Sequence, residues 1–124
     1  MTELLIDACG WVACIDGGIN LDHELLPLMG PTDWVLTTGV LDELNRLNRE
    51  RPARKGLLLP LLLSRAELLP AAEAHTDDDV FRIASERRCA TLTVDTDLKH
   101  RLFEANLPVV EVKQGSFLNI VEAL

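Results

Sequence analysis

Two aspartates directly follow runs of buried-type apolar residues. Asp7 comes after Leu4-Leu5-Ile6, and Asp95 comes after the β-forming run at residues 90–94 (ATLTV). In open parallel sheets, ligand sites form beyond the carboxyl ends of the strands, near the point where the strand order reverses. Both side chains are therefore predicted to lie on the edge of the sheet where a ligand binds, although a solubilising turn residue would explain either one alone.

Two further acids fall on apolar stripes of predicted helices. Glu43 lies three residues after one core position of its helix and four before another, and Asp77 lies three residues before a core position of a later helix. Asp78 and Asp79, turned about 100° and 200° further around that helix, are predicted to face solvent or to cap it. The alternative is that Glu43 and Asp77 are helix-start acids that interact with the helix dipole.

If these four acids meet in one pocket, their charges need compensation. Burying one unpaired carboxylate costs roughly several kcal/mol, and no pattern of lysine or arginine pairs with all four. A hard divalent ion such as Mg²⁺ or Mn²⁺ prefers carboxylate and water oxygens. Its chemical use would be to lower the pKa of a bound water and to stabilise charge on a phosphate.

The acids are positioned by alternating strands and helices. The predicted strands are residues 4–6, 33–38, 67–70, 90–94 and 108–112, and the predicted helices are residues 21–29, 39–51, 54–66 with a kink at Pro60, 76–88 and 97–105. Residues 8–20, with three glycines, are predicted to be a loop. Continuous apolar strands that alternate with helices indicate an α/β fold of three layers (α/β/α), with a central, mainly parallel sheet. The 124 residues fit one domain, residues 1–124.

The composition excludes several classes of protein. Hydrophobic residues make up 48% of the chain, which suffices for a core, and no apolar run approaches the roughly 18 residues that a membrane span needs. The acidic residues Glu3 and Asp7 stand where a signal peptide would carry basic ones. Cys9, Cys14 and Cys89 cannot pair completely, which favours a reducing, cytoplasmic location.

The net charge of −8 at first argues against a nucleic-acid partner, because phosphate binding normally needs a basic face. The basic residues are, however, segregated from the acids. The main basic cluster, a candidate nucleic-acid-binding face, consists of Arg46, Arg49, Arg51, Arg54 and Lys55. An ordinary solvated helix face would explain this cluster about as well.

The ordered set of motifs resembles the PIN-domain nucleases over nearly the whole chain. LLIDACG looks like the family's opening strand with its first aspartate, and TTGVLDELNRL is similar to the second strand and the helix that carries the glutamate. TDDDVFRIA looks like the helix with the third acid, and TLTVDTDLKHRL like the strand that delivers the fourth. That last segment and the tail NLPVVEVKQGSFLNI look most like the branch that processes small-subunit ribosomal RNA.

The resemblance implies a set of catalytic and metal-binding residues, which are Asp7, Glu43, Asp77 and Asp95, with Asp97 and Asp78 as supporting ligands. It implies Mg²⁺ or Mn²⁺ as cofactor and endonucleolytic hydrolysis of single-stranded RNA by water. The implied partners are RNA such as an rRNA precursor, a second copy in a homodimer, and either an antitoxin or a ribosome-assembly factor, with no membrane.

Alternative functions remain open within this resemblance. A toxin of the VapC kind and an rRNA-processing enzyme would share the same site. The family usually follows its first aspartate with Thr or Ser and then often Asn or Ser, whereas this chain has Ala8-Cys9. Loss of that hydroxyl removes support for the site, so a slow enzyme or a non-catalytic module that binds RNA or protein in ribosome assembly is the alternative.

Two other acidic motifs are less consistent with the chain. Asp95-Thr96-Asp97-Leu98 also matches the nucleophile motif of haloacid-dehalogenase-like phosphatases, but that motif follows the family's first strand and needs further residues well downstream. A response-regulator receiver would need paired acids after the first strand, where this chain has Asp7 alone.

Overall fold

Runs of consecutive apolar residues form a six-stranded sheet in the computed structural model, which describes residues 2–122. The strands are β1 (Thr2–Ile6), β2 (Thr32–Thr37), β3 (Ala66–Leu69), β4 (Ala90–Leu92), β5 (Val109–Lys113) and β6 (Phe117–Val121). Their order across the sheet is β3-β2-β1-β4-β5-β6. The pairings among β1 to β5 are parallel, and β6 pairs antiparallel with β5. The predicted mainly parallel sheet is thus confirmed.

Helices connect the parallel strands. They are α1 (Ala8–Asp16), α2 (Leu21–Met29), α3 (Thr38–Glu50), α4 (Leu59–Arg65), α5 (Thr76–Arg87) and α6 (Thr96–Glu104), with a short 3₁₀ turn at Ala53–Lys55. Because such crossovers are right-handed, α1 to α4 cover one face of the sheet and α5 and α6 cover the other. The contacts of α1 with α3 and of α5 with α6 agree with this division. The helices therefore form the two outer layers of the α/β/α architecture.

The core is aliphatic and lies along the central strands. Leu4, Leu5 and Ile6 of β1 are completely buried, as are strand residues on both neighbours of β1. Two tryptophans add the largest rings, since Trp11 of α1 packs edge-on against Trp34 of β2 with their ring centroids 5.9 Å apart. Both sheet faces are covered at β1, which explains why its sequence is a continuous apolar run.

The strand order reverses beside β1. The chain moves from β1 to β2 and β3 on one side and then returns to place β4 on the other side of β1. The backbone N–H of Asp7 donates to the carbonyl of Leu92 at 3.0 Å, which joins the carboxyl ends of β1 and β4. The sheet therefore has its switch point immediately next to Asp7, where α/β folds bind ligands.

The predicted loop at residues 8–20 is wrong over its first nine residues, which form helix α1. Ala8, Trp11 and Cys14 recur at helical spacing and are buried. Gly10 is present because of a close approach rather than a turn: a Cβ built on it would lie 2.5 Å from the carbonyl oxygen of Leu92. The glycine that suggested a loop is what lets α1 pack against the end of β4.

The predicted helix at residues 54–66 is also wrong in its first half. The helix α4 begins only at Leu59, and Pro60 lies in its first turn, where a missing N–H costs nothing. Pro60 therefore starts the helix instead of kinking it. The non-helical segment at residues 56–58 is fixed by Leu57, whose carbonyl accepts a hydrogen bond from Trp11 Nε1 at 2.8 Å and whose N–H donates to Asn48 Oδ1 at 2.8 Å.

The prediction missed β6. This strand is antiparallel and at the edge of the sheet, so Leu118 is buried while its neighbours Phe117 and Asn119 are exposed. A strand of this kind lacks the continuous apolar run that marked the central strands.

Within residues 2–122, no helix is long and apolar enough to cross a membrane. The cysteines Cys9, Cys14 and Cys89 are free thiols.

We expect Gly10→Ala to destabilise the fold, since the new Cβ would collide with a backbone carbonyl that cannot move aside. Overpacking of this kind costs about 1–3 kcal/mol, even though alanine favours a helix. The melting temperature, followed by tryptophan fluorescence, should fall by roughly 4–12 °C. Gly56→Ala is the control, because a Cβ there would meet its nearest atom at 3.5 Å, an ordinary contact. Equal melting temperatures for the two variants would contradict this account of α1.

Candidate active site

Asp7 is the buried centre of the candidate site. Its side chain is 4% exposed, and it occupies the N-cap position of α1 without forming a capping hydrogen bond. Its Oδ2 atom accepts hydrogen bonds from Thr93 Oγ1 at 2.8 Å and from the thiol of Cys9 at 3.2 Å. Among residues 2–122, both side-chain donors to Asp7 therefore fall on the same oxygen, which leaves Oδ1 available to a ligand.

Thr93 links the two aspartates at the strand ends. Its hydroxyl donates to Asp7 and accepts the backbone N–H of Asp95 at 3.1 Å. Asp95 in turn caps α6, since its Oδ1 accepts the N–H of Leu98 at 2.9 Å. One carboxylate oxygen of each aspartate is thus held by the protein. These bonds fix how Asp7 and Asp95 are placed relative to each other.

Cys9 acts as a hydrogen-bond donor at this site. Burial raises the pKa of its thiol to about 11, and the negative charge of Asp7 contributes to the same rise. The thiol therefore stays protonated at neutral pH and can donate to Asp7. Its sulfur also lies 3.4 Å from Thr93 Oγ1, so Cys9, Thr93 and Asp7 form one small polar group.

The charges of the other acids affect the pKa of Glu43 and of Asp77. The pKa of each is raised, mainly by partial burial and next by the negative charge of Asp7. Asp95 adds to the rise at Asp77, and Asp77 adds to the rise at Glu43. The fold therefore brings Asp7, Glu43 and Asp77 within range of one another's charge, and the charge of Asp95 reaches Asp77.

Two arginines partly offset this repulsion. Arg46, one helical turn after Glu43, lowers the pKa of Glu43, and Arg101 of α6 lowers the pKa of Asp77. In both cases burial is the largest cause of the upward shift, and the charge of Asp7 has a larger effect on the pKa than the charge of the arginine. The site therefore retains an excess of negative charge that a cation would relieve.

The donor chemistry of the site fits a hard divalent cation. In the part of the chain that the structure describes, no three His, Cys, Asp or Glu side chains stand close enough together to enclose a metal ion. Mg²⁺ does not require such a cage, because it keeps several waters and commonly uses only one or two protein carboxylates. A water-rich ion beside the free Oδ1 of Asp7 is the form of metal binding that this arrangement suits.

The other predicted acids differ in their surroundings. Asp97 is exposed in the first turn of α6, whereas Asp78 forms an ion pair with Arg101 at 2.9 Å. Asp79 was predicted to face solvent or to cap its helix, but it is 1% exposed. Its carboxylate accepts the backbone N–H groups of Ala72 and Glu73 and lies 3.2 Å from Arg82. These bonds lower the pKa of Asp79 against the opposing effect of burial, which is the largest single influence.

The basic cluster is spread along α3 and the turn that follows it. Arg46 lies nearest to the acids and pairs with Glu50 at 3.3 Å. Arg51 pairs with Asp16 at the end of α1, and its Nε donates to the carbonyl of Lys55 at 2.7 Å. Since a helix rises about 1.5 Å per residue, Arg51 lies about 12 Å further along the helix axis than Glu43. Arg49, Arg54 and Lys55 are exposed.

Sequence reasoning missed Thr93 and Arg101 as contributors to the site. Thr93 is completely buried on the strand side of Asp95, and asking which residue could donate to a buried aspartate would have identified it. Arg101 lies outside the main basic cluster. Its pairing with Asp78 joins two helices, and no spacing within one helix can reveal such a contact.

Comparisons with known proteins find similarity to PIN domains and to a ribonuclease. A family described as "PIN like domain" matches residues 4–115. Ribonuclease VapC4 of Methanocaldococcus jannaschii is 27% identical over 109 residues, which cover 82% of this chain and 83% of that protein. The PIN domain endonuclease Utp24 has a similar structure, with a TM-score of 0.77, 21% identity and coverage of 98% of this chain and 95% of that one.

A second solved structure has the same fold at greater distance. It is a domain of a functionally unknown protein from Methanocaldococcus jannaschii, with a TM-score of 0.63 and 18% identity. The match covers 100% of this chain and 99% of that one. At these identities, the two structural matches establish the fold alone.

We expect Thr93→Val to destabilise the protein, because it leaves Asp7 without its shortest hydrogen bond. An unsatisfied buried polar group costs about 1–3 kcal/mol. Thr91→Val is a matched control: Thr91 is equally buried in β4, and its hydroxyl has no partner among the described residues. Thr91→Val should therefore leave the free energy of unfolding unchanged or raise it. Equal losses in the two variants, measured by urea unfolding, would show that the bond to Asp7 does not matter.

We expect Glu43→Gln to stabilise the metal-free protein at neutral pH. A raised carboxyl pKa means that the folded state binds the extra proton, so stability falls as pH rises through the folded pKa. The glutamine variant lacks this loss, and its advantage should disappear below the ordinary glutamate pKa of 4.5. For a partly exposed charge the effect is small, about 1–3 °C in melting temperature.

Asp42→Asn is the control for this experiment. Asp42 is exposed on the same helix, next to Glu43, and the substitution removes the same charge from the chain. A gain in Asp42→Asn as large as that in Glu43→Gln would mean that net charge, and not the local crowding of acids, sets the stability.

Proposed function

Because the chain belongs to the PIN-like domain family, we propose that it is a divalent-metal-dependent endoribonuclease that hydrolyses phosphodiester bonds of single-stranded RNA. The observation that carries the proposal is the buried carboxylate of Asp7 at the switch point of the sheet, whose charge raises the pKa of Glu43 and of Asp77. Structural aspartates are normally paired with a cation or with backbone N–H groups, as Asp79 is here. Acids that repel one another instead indicate a site made for a cation.

In this proposal, Asp7, Glu43, Asp77 and Asp95 would hold Mg²⁺ or Mn²⁺ partly through its waters, since no three of the described acids stand close enough together to enclose the ion. When bound, the ion lowers the pKa of a water and stabilises charge on the phosphate. The protein's own contribution is placement: Thr93 and Cys9 fix Oδ2 of Asp7, so its Oδ1 keeps a constant direction. Asp97, which is exposed in the first turn of α6, would be a supporting ligand through water. Asp78 would also be only a supporting ligand, because its carboxylate forms an ion pair with Arg101.

The basic cluster is proposed to guide the RNA toward this site. Arg46 is the member that acts on the acids directly, since its charge lowers the pKa of Glu43. Arg49, Arg54 and Lys55 are exposed, and they extend this positive surface away from the strand ends together with Arg51. Cations at increasing distance from the metal suit a strand of RNA that runs along α3, with successive phosphates near successive side chains.

We propose precursor rRNA as the RNA target, on the strength of the sequence motifs at residues 91–102 and 106–120. The similarity to Ribonuclease VapC4 favours a second candidate, a toxin ribonuclease that an antitoxin restrains. A gene for a small antitoxin next to the gene for this chain would support the toxin. The Ala8-Cys9 pair favours a third candidate, a scaffold that binds RNA or protein during ribosome assembly without cutting.

The proposal predicts metal-dependent cleavage by the purified protein. Incubation with a labelled single-stranded oligoribonucleotide and Mn²⁺ should give internal cuts, and EDTA should abolish them. Asp7→Asn, Asp77→Asn and Asp95→Asn should each lower kcat about 100-fold or more, because each removes a charged oxygen from the metal. Binding of Mn²⁺ can be followed separately, as a rise in melting temperature that the same variants lose.

Asp42→Asn is the matched control, because it removes an exposed carboxylate from the helix that carries Glu43. It should retain full activity and the full thermal shift. RNA that is retained on the protein without cleavage, with or without Mn²⁺, would support the scaffold and contradict the nuclease.

A further inference from the structure

Arg101 lies beside the acidic site and contacts two residues of α5. Its Nη1 lies 2.9 Å from Asp78 Oδ1, and its guanidinium carbon stands 4.6 Å from the centre of the Phe81 ring. Asp78 and Phe81 both belong to α5, whereas Arg101 belongs to α6. The side chain therefore crosses from one helix to the other, and a carboxylate and an aromatic ring fix it there.

The position of Arg101 is open to a ligand. Its side chain is 41% exposed, and it lines a shallow open cleft together with His75, Thr76, Asp77 and Asp78. Asp77 is one of the four acids of the candidate site, and the charge of Arg101 reaches it. A ligand in this cleft would therefore touch the edge of the metal site and the guanidinium at once.

Most of the hydrogen-bonding capacity of Arg101 is unused. A guanidinium carries five N–H donors in a rigid fork. Among the described residues, the hydrogen bond of Arg101 to a side chain is the one from Nη1 to Asp78. The fork geometry matches a phosphate group, which can accept two parallel hydrogen bonds. Arg82, by contrast, donates to two carboxylates, those of Asp79 and Glu86.

The acidic site itself creates a need for such a cation. The four carboxylates repel RNA, which carries one negative charge on each nucleotide, and a metal ion offsets the repulsion only at the phosphate it binds. The neighbouring phosphate needs a positive group of its own. Arg46 can serve this purpose on the side of Glu43, and Arg101 is the cation that acts on Asp77.

We propose that Arg101 binds a backbone phosphate next to the scissile one when single-stranded RNA occupies the cleft beside Asp77. Asp78 and Phe81 position its guanidinium for this contact before RNA arrives. The inference rests on the proposed ribonuclease function and adds a binding subsite to it. It also gives Asp78 a role that requires no metal, which is to orient the arginine.

The test compares RNA binding and RNA cleavage in Arg101→Ala, Arg101→Gln and Arg101→Lys. Binding is measured by fluorescence anisotropy with a labelled, unstructured oligoribonucleotide in EDTA, so that no cleavage occurs. Arg101→Ala and Arg101→Gln should raise Kd about 5- to 20-fold and reduce the slope of log Kd against log salt by about 0.7, the value for one lost phosphate contact on a single strand. Arg101→Lys should keep the slope, because it keeps the charge, with a smaller rise in Kd.

Cleavage with Mn²⁺ supplies the second measurement. The two neutral variants should raise KM by a similar factor while kcat stays within about threefold of wild type, because the contact is to a phosphate that does not react. Arg87→Ala is the matched control: Arg87 is likewise half-exposed and ion-paired, with Glu3, but it lies at the opposite end of α5. It should bind and cleave RNA as the wild type does.

The outcomes separate the two proposals. Wild-type protein that neither binds nor cuts RNA would overturn the ribonuclease function itself. Wild-type protein that does both, with unchanged Kd and salt slope in Arg101→Ala and Arg101→Gln, would overturn the phosphate subsite alone. Thermal melts show which variants are folded. Should the alanine variant unfold, the glutamine variant preserves the length of the side chain and decides the question.

Discussion

The site depends on the contact between the carboxyl ends of β1 and β4. At this point the backbone of Asp7 donates to the carbonyl of Leu92, and the side chain of Asp7 accepts from Thr93. Gly10 lets α1 approach the same carbonyl so closely that no side chain fits between them. A one-residue shift in the register of β4 would move the side chain of Thr93 to the opposite face of the sheet, so that its hydroxyl could no longer donate to Asp7. The pairing register of β1 and β4 therefore also determines how the side chains of the candidate site are placed.

Three of the four acids lie at helix N-termini, which lowers the free-energy cost of the repulsion between their carboxylates. Asp7 and Asp95 stand at the N-cap positions of α1 and α6, and Asp77 lies in the first turn of α5. The partial positive charge at each helix start favours a carboxylate there, but its effect fades beyond the first turn. Glu43 lies in the second turn of α3, beyond that help. Helix dipoles alone thus leave repulsion in the site, which after burial is the next cause of the raised pKa of Glu43 and of Asp77.

Much of the fold was predictable from sequence, because its central strands are continuous apolar runs and its longer helices show clear periodicity. The helix α2 was predicted with its exact bounds, and β1, β2, α3, α5 and α6 to within two residues. The failures come from contacts between separate segments of the chain, which sequence patterns do not encode. Gly10 looked like a loop residue because its reason for being glycine is a contact with Leu92, which is distant in the sequence. Asp79 looked exposed because a helical wheel treats α5 in isolation, whereas the segment before it folds back and donates two N–H groups to that carboxylate.

The pair Ala8-Cys9 can be judged by the same contacts. Ala8 is buried at the start of α1, and its apolar side chain needs no hydrogen-bond partner there. Position 9 still supplies a donor, because the buried thiol keeps its proton and points its hydrogen bond at Oδ2 of Asp7. Thr93 donates to the same oxygen over a shorter distance, 2.8 Å against 3.2 Å. A thiol is a weaker donor than a hydroxyl, so the orientation of Asp7 depends more on β4 than on α1. Although Ala8-Cys9 departs from the family's usual residues, Asp7 therefore keeps two side-chain donors, Thr93 and Cys9.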